Sequence, residues 1–422
     1  MKRQYANLAA REARLAAWML IPAFLIVFAI ILFPVLLNFW ISFKSVRLGD
    51  LRPPTPAVRE EIVEGPNNPG EQLVVSIRAR NSSQREELRS VVISGYVPPG
   101  LSVVELPDGF EVEGNTLRGS FERWPAAFTD TYRFVFEADA QFFEAGWAES
   151  TRILFAEAAG ETENKLFSFN FTLDNYRFVL GTSGFWEVLG ITFLYTLLST
   201  VSAIVLGLLA AQLVNAKFLG KGVLRGLLLF PYVAPVISVA FAWSFFLDPF
   251  SGTVNALLQR FGIVDEGISF LSERFVTLSL LGAEVQFPLA LSTVIAFQAW
   301  RYFPFAFLFI LSRLQAIPGP LYESADVDGA TPYQKFFMIT VPQVAGVMGT
   351  LFLLRFMWTF NKFDDVFLLT GGAAGTKILP IEVYDNAFGR ADIGAGAATA
   401  VLLFAFLAVF LGLYFKYTPE EE

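Results

Sequence analysis

Few side chains in this sequence have the chemistry for a reaction. Its 422 residues include no cysteine and no histidine. Thiol nucleophiles, structural disulfides, His-based metal centres and Ser-His-Asp triads are therefore excluded. A Lys- or carboxylate-based site stays open. One run imitates a phosphate loop, Gly371-Gly372-Ala373-Ala374-Gly375-Thr376-Lys377. It lacks the Gly-x4-Gly-Lys-Ser/Thr spacing with which backbone amides wrap a phosphate, so any nucleotide motor must be another chain. No catalytic residue, metal or cofactor is assigned.

The most informative stretch is Glu323-Ser324-Ala325-Asp326-Val327-Asp328-Gly329-Ala330, continuing through Phe336, Ile339 and Pro342. Pro320 can open a short helix, and Gly329 can close it in the left-handed conformation. Thr331 can cap a second helix with Pro332 in its first position. Phe336, Phe337 and Ile339 then give this helix an apolar face. Local physics leaves two readings open: an amphipathic connector resting on a membrane, or a helix seated in a partner's groove.

Arg301 and Arg355 lie within apolar runs, where a charge is costly and points to function. Candidate partners are Asp248, Asp364 and Asp365. Gln298 and Asn361 are polar groups in similar surroundings.

The elements that position these residues follow from composition. The chain is 54% hydrophobic and 17% charged, with 46 Phe, which points to lipid as solvent for much of it. The net charge of −8 sits in one segment: Ser45 to Ser183 holds 13 basic and 21 acidic residues, and the remainder balances at 18 of each. That argues for a soluble acidic domain set into a hydrophobic chain, and against nucleic-acid binding. Runs of about 20 apolar residues mark six spans: Ala17–Phe43, read as an uncleaved anchor, Trp186–Leu213, Leu227–Leu247, Pro288–Leu311, Val344–Phe360 and Ala395–Phe415. Phe270–Leu281 reads as an interfacial or re-entrant piece.

Basic residues at the N-terminus and at Lys217, Lys221 and Arg225 predict both termini on the cytoplasmic side. The predicted organisation is a cytoplasmic N-terminus (1–16), a first transmembrane helix (17–43), an extracytoplasmic β-rich insertion (45–183), a core of five helices (184–416) with a cytoplasmic loop at 318–342, and a tail (417–422). In the insertion, Leu73–Ile77, Ser90–Tyr96, Tyr132–Phe136 and Leu166–Phe171 read as strands. Turns such as Pro98-Pro99-Gly100 and Pro107-Asp108-Gly109 separate several of them, and Arg52–Pro56 reads as a stiff linker. The fold class is an all-α polytopic membrane protein with an inserted β-sandwich, of immunoglobulin-like type at its most specific.

The 323–342 stretch resembles the coupling loop of permease subunits of ATP-binding-cassette importers. The family pattern runs Glu-Ala-Ala, Asp-Gly-Ala, Phe, Ile and Leu-Pro. Here it reads Glu-Ser-Ala, Asp-Gly-Ala, Phe336, Ile339 and Val341-Pro342. Residues 230–235, 250–255, Trp300 to Phe305, 314–318, 360–364 and 369–372 are similar to the carbohydrate-uptake branch. The likeness spans about residues 170–416. The large insertion after the first span is similar in position to that of the maltose-type first permease (MalF-like).

The resemblance implies an ABC importer type I permease fold in the inner membrane. It also implies a second permease (MalG-like), two ATP-binding subunits, an extracytoplasmic sugar-binding protein, surrounding lipid and a di- or oligosaccharide substrate. It assigns ATPase contact to Glu323, Ser324, Ala325, Asp328, Gly329, Ala330, Phe336 and Pro342. It assigns the substrate pathway to Gln298, Trp300, Tyr302, Phe305, Trp358, Thr359 and Asn361, and favours a structural pairing for Arg301. Two other classes compete. A secondary transporter would show paired halves, which are not seen. A membrane-anchored β-sandwich receptor would leave five spans idle.

Overall fold

The computed structural model describes residues 18–51, 54–84, 86–162, 164–216, 218–280 and 283–417. The expected N-terminal segment 1–16, most of the tail, Lys217, and Arg52 and Pro53 of the linker lie outside these. The chain forms two compact units, one from its parts up to Ser45 and from Thr172 onward, the other from Val46–Phe171.

The first unit is helical. Among the described residues, five helices are long and apolar enough to cross a membrane. These are α1 (Trp18–Ser42), α3 (Phe185–Asn215), α6 (Leu289–Gln315), α8 (Pro332–Phe360) and α11 (Ile393–Tyr417). The expected third span is a bent pair, α4 (Lys221–Val233) and α5 (Val236–Phe246), which turns through 96°. The cause is Pro235. It cannot donate to the helix ladder, and it drives Ala234 to an extended ψ of 142°. Hydropathy runs straight through this break.

Short helices α2 (Asp174–Gly181), α7 (Gly319–Val327), α9 (Asp364–Thr370) and α10 (Leu379–Tyr384) join the frame, together with a further short helix at Thr253–Arg260. The insertion was expected to reach residue 183, but α2 belongs to the helical unit. Its Asn175 side chain donates to the carbonyls of Ser42 (2.9 Å) and Lys44 (2.8 Å). Gly394 makes room for this knot, since a Cβ there would meet the Lys44 carbonyl at 2.4 Å. Within the expected interfacial or re-entrant piece at 270–281, Val276–Leu280 is a strand paired antiparallel to Ala283–Phe287. Its alternating Val-Thr-Leu-Ser-Leu pattern suits a strand.

Helices α3 and α6 cross closely at Gly207, where a Cβ would meet the Ala306 Cβ at 2.7 Å. A small residue at a helix crossing lets two backbones approach, which is how spans associate without a hydrophobic drive.

Among its described residues the second unit has eight strands: β1 (Pro56–Glu64), β2 (Gln72–Asn81), β3 (Leu88–Tyr96), β4 (Leu101–Glu105), β5 (Phe110–Glu113), β6 (Thr116–Trp124), β7 (Thr129–Ala138) and β8 (Glu157–Glu161). They form two antiparallel sheets, β1-β2-β7-β4 and β5-β6-β3-β8. Period-two alternation sends Leu73, Val75, Ile77 and Ala79 of β2 into one core with Leu88, Val91 and Ile93 of β3, Trp124 of β6 and Phe134 and Phe136 of β7. The expected turns hold Gly100 and Gly109 at φ +90° and +85°. Leu166–Phe171 is not a strand. The Asn164 side chain accepts from Leu166 N (3.0 Å), and its carbonyl accepts from Ser168 N (2.9 Å), so a local turn displaces strand pairing.

Candidate functional site

Glu323 through Ala330 fold as the sequence predicts. Pro320 sits in the first turn of α7. At its end Gly329 N donates to Asp326 O (3.1 Å) and Ala330 N to Ala325 O (2.9 Å). With Gly329 at φ +74° this is a Schellman cap. Thr331 then caps the next helix in a reciprocal box with Gln334, and Pro332 occupies the first turn. Glu323, Ser324 and Asp328 are exposed, and Ala325 and Ala330 are half-buried.

The second helix is not short, contrary to the expected pair of short helices. It continues as α8 to Phe360 through one π-helical turn, Phe336–Thr340, in which Val341 N donates to Phe336 O. Pro342 explains the widening. It offers no N–H, and its ring would strike the Met338 carbonyl in a regular helix. Two contacts fasten α7 to α8: Tyr322 Oη to Thr340 Oγ1 at 2.9 Å, and Lys335 Nζ to Asp326 Oδ1 at 2.5 Å. Phe336 turns inward onto the core shared by α3, α6 and α8, whereas Val327, Tyr333, Phe337 and Met338 stay exposed. The elbow is thus a braced hairpin with a polar crest at Glu323 and an uncovered apolar flank.

Above it, α6, α8 and α9 meet in a buried polar cluster. Arg301 Nη1 lies 3.3 Å from Asp365 Oδ1, and the Asp365 side chain is fully buried. Of the three carboxylates considered from sequence, geometry selects this one. With its amide oxygen and nitrogen assigned from the surrounding donors and acceptors, Gln298 donates to Asp365 Oδ2 and accepts from Arg355 Nη2 at 3.3 Å. Arg355, 3% exposed, also donates to Thr359 Oγ1 (3.2 Å), and its guanidinium lies 4.1 Å from the Tyr302 ring centroid. Among the described residues no carboxylate lies within ion-pair distance of Arg355. Arg301 and Lys362 also approach the Tyr302 ring, at 5.3 and 5.5 Å, so one aromatic ring gathers three cations. Lys362, whose Nζ pairs with Asp364 Oδ1 at 3.0 Å, and the fully buried Tyr195 on α3 are cluster members that sequence reasoning missed. A tyrosine within an apolar run was the available signal for the second.

The remaining pathway candidates divide. Phe305 and Trp358 stand with Tyr232 in an aromatic wall, with ring centroids 5.4 Å apart for Phe305–Trp358 and 6.1 Å for Tyr232–Phe305. Trp300 turns toward Trp243 (5.6 Å), on the core formed with α5. Asn361 is exposed and donates to Met357 O at 2.9 Å, finishing its own helix. Below the wall, a groove of about 590 Å³ runs between α6 and α8, bordered by Phe309, Arg313, Gln343, Thr350 and Leu354. Arg313 spans its lower end, donating to the Gln343 carbonyl at 2.9 Å.

Beyond the spans, Lys377 bridges Glu382 and Asp385 at 2.7 Å each. Burial pulls its ammonium pKa down, but the hydrogen bonds it donates to Asp385 and Glu382 outweigh this and leave it raised. The imitation phosphate loop is therefore a fold element whose lysine is spent on carboxylates.

The family model for binding-protein-dependent transport system inner membrane components matches residues 203–419, just over half of the chain. The chain is similar to the inner membrane ABC transporter permease protein YcjO of Escherichia coli (strain K12), at 35% identity over 239 residues that cover 55% of this chain and 74% of that protein. It is similar to the trehalose/maltose transport system permease protein MalF of Thermococcus litoralis, at 30% identity, covering 58% and 78% respectively. Its fold is like that of a chain in the crystal structure of a bacterial ABC transporter involved in the import of the acidic polysaccharide alginate, with TM-score 0.51 at 19% identity, covering 60% of this chain and 86% of that one.

Proposed function

The chain belongs to the family of binding-protein-dependent transport system inner membrane components, and on that premise we propose that it is one permease subunit of an ATP-binding-cassette sugar importer. The observation that carries this reading is the elbow from Glu323 to Pro342. A helix pair locked by a Schellman cap and a capping box, with an exposed acidic crest and uncovered apolar flank, suits docking into a groove of another protein. That partner is one of two ATP-binding subunits. Glu323, Ser324, Ala325, Asp328, Gly329 and Ala330 meet it, and Phe336 and Pro342 pass its motion into α8.

The substrate is a di- or oligosaccharide of the maltose, maltodextrin or trehalose type, a class that the relatives' names support. It is delivered by an extracytoplasmic binding protein and moves between this chain and a second permease. Phe305 and Trp358, with Tyr232, offer the aromatic faces that sugar sites use. Gln298, Tyr302 and Thr359, with Arg301 and Arg355, hold that wall in place from behind. The bent pair α4–α5 counts as the sixth span. The chain sits in the inner membrane with cytoplasmic termini, and the two sheets form an extracytoplasmic β-sandwich.

The test is uptake of labelled sugar and ATP hydrolysis, measured in parallel on the assembled transporter in proteoliposomes. Gly329→Pro cannot adopt φ +74°. It is expected to abolish uptake while insertion of the chain is retained, and Glu323→Arg is expected to uncouple hydrolysis from uptake. Wild-type uptake by an assembled Gly329→Pro variant would overturn the proposal.

A further inference from the structure

We propose that the outer face of β1 and β2 binds a small polyanion of the class of carboxylated or sulfated saccharides. The ladder sets Arg59 directly opposite Arg78, and Arg80 follows two residues on, on the same face and opposite Ala57. Like charges paired across a ladder destabilise a sheet. The small side chains of Ala57 and Ala127 leave open a groove of about 470 Å³, which the three arginines border with Ser82, Gln84 and Thr129. Among the described residues, no carboxylate lines it.

The absence of acids there runs against the rest of the unit. Residues 46–171 carry 20 acidic and 12 basic side chains. Three other arginines of the unit pair with carboxylates: Arg89 with Glu87 at 2.7 Å, Arg123 with Glu87 at 3.5 Å and Arg152 with Glu60 at 3.7 Å. Arg47, Arg118 and Arg133 pair with none among the described residues, but only Arg59, Arg78 and Arg80 converge on one groove. Arg59, Arg78 and Arg80 are exposed and, among the described residues, pair with no carboxylate. Glu61 shares their face, opposite Ser76, yet stays beyond ion-pair distance. In this acidic unit an unneutralised guanidinium cluster points to an anion from outside.

Chemistry narrows the class. A guanidinium presents a planar fork that matches carboxylate and sulfate oxygens two at a time. The groove is far larger than one water-sized ion, whose share of liquid volume is about 30 Å³. It falls in the range of roughly 300–1,000 Å³ typical of small-molecule sites. Ser82, Gln84 and Thr129 add the hydroxyl and amide groups that sugar hydroxyls bond. Concavity favours a small ligand over the flat acidic surface of another protein.

The site is independent of the transport reading, because binding there needs neither ATP nor a second permease. The test titrates the full chain, in nanodiscs of uncharged lipid, with trigalacturonate, maltotriose, sodium sulfate and a polyglutamate peptide. Trigalacturonate is expected to bind at least about tenfold more tightly than maltotriose, and to weaken with added salt. Arg78→Gln is expected to weaken it by about tenfold or more, the loss of one charged hydrogen-bonding group. Arg118→Gln, an exposed change on β6, is expected to leave it unchanged. Relief of repulsion is expected to keep the melting temperature of Arg78→Gln at or above that of wild type, and Arg80→Gln repeats the test from a second position. Equal binding of trigalacturonate and maltotriose, or unchanged affinity in both variants, overturns the proposal. So does sulfate binding as tightly as trigalacturonate, which means an adventitious ion only, or binding by polyglutamate alone, which means a protein partner.

Discussion

Replacing Asp365 by leucine tests whether the buried cluster holds α9 onto the spans. The carboxylate is fully buried and lies 3.3 Å from an Arg301 side chain that is 10% exposed. Deleting one member of a buried pair leaves the other charge stranded, at a cost of about 3–5 kcal/mol. Gln298 loses its acceptor at the same time, a further loss of about 1 kcal/mol. In a micelle the unfolded spans still find polar partners, so the lower end of the range is expected. Removing both charges, Arg301→Met with Asp365→Leu, strands neither, and should bring stability back to within about 1–2 kcal/mol of wild type. The assay is reversible unfolding by SDS titration in mixed micelles, followed by tryptophan fluorescence, as a double-mutant cycle with Asp365→Asn as the isosteric control. A cost below about 1 kcal/mol for Asp365→Leu would refute the reasoning. So would a double variant no better than the single one, because then the charge pair does not hold the cluster together.

Thr331→Ala removes the cap that accepts from Gln334 N, and should cost about 1 kcal/mol in the elbow, read as faster amide exchange at Tyr333 and Gln334. Gly207→Leu drives a side chain into Ala306 and the Phe307 backbone, and should lower the melting temperature of the detergent-solubilised chain sharply. Burial, aided by Asp130, pushes the Tyr132 phenol up to about 12. Its protonated form is favoured in the fold, so that share of stability is intact below pH 10 and lost as pH climbs toward 12. Tyrosinate absorbance from this residue should therefore rise together with loss of strand signal in circular dichroism.

The elbow was readable from sequence because each of its determinants is local. Pro320, Gly329, Thr331 and Pro332 act within one turn of themselves. The π-turn was not readable, because it is the helix's accommodation to Pro342 rather than a preference of Phe336–Thr340. Arg301's partner could be narrowed to three aspartates, but choosing Asp365 over its neighbour Asp364 depends on how α9 is rotated against α6. Adjacent helical residues face about 100° apart, and nothing in sequence sets that angle. Hydropathy located α4 and α5 but measured only apolarity, so the bend at Pro235 was missed. In the β-rich unit, β2, β3 and β7 stood out by dense apolar alternation. Edge strands such as β1, with Arg59-Glu60-Glu61 at its centre, carry charge where a central strand carries valine, and so escaped notice.

From Pro332 to Phe360 the chain is one helical run of 29 residues, about 43 Å at 1.5 Å per residue. Mechanically it is a lever. Its short arm projects from the membrane unit at Tyr333, and its long arm ends among Arg355, Thr359 and the aromatic wall. The π-turn is the compliant point of the beam, placed within a turn or two of the loaded end. A push at Tyr333 therefore divides into local flexure at Phe336–Thr340 and rigid displacement of everything beyond Pro342. The contacts of Tyr322 with Thr340 and of Lys335 with Asp326 straddle that point and set the ratio between the two. How far a displacement at Tyr333 carries to Trp358 depends on the stiffness of this one turn.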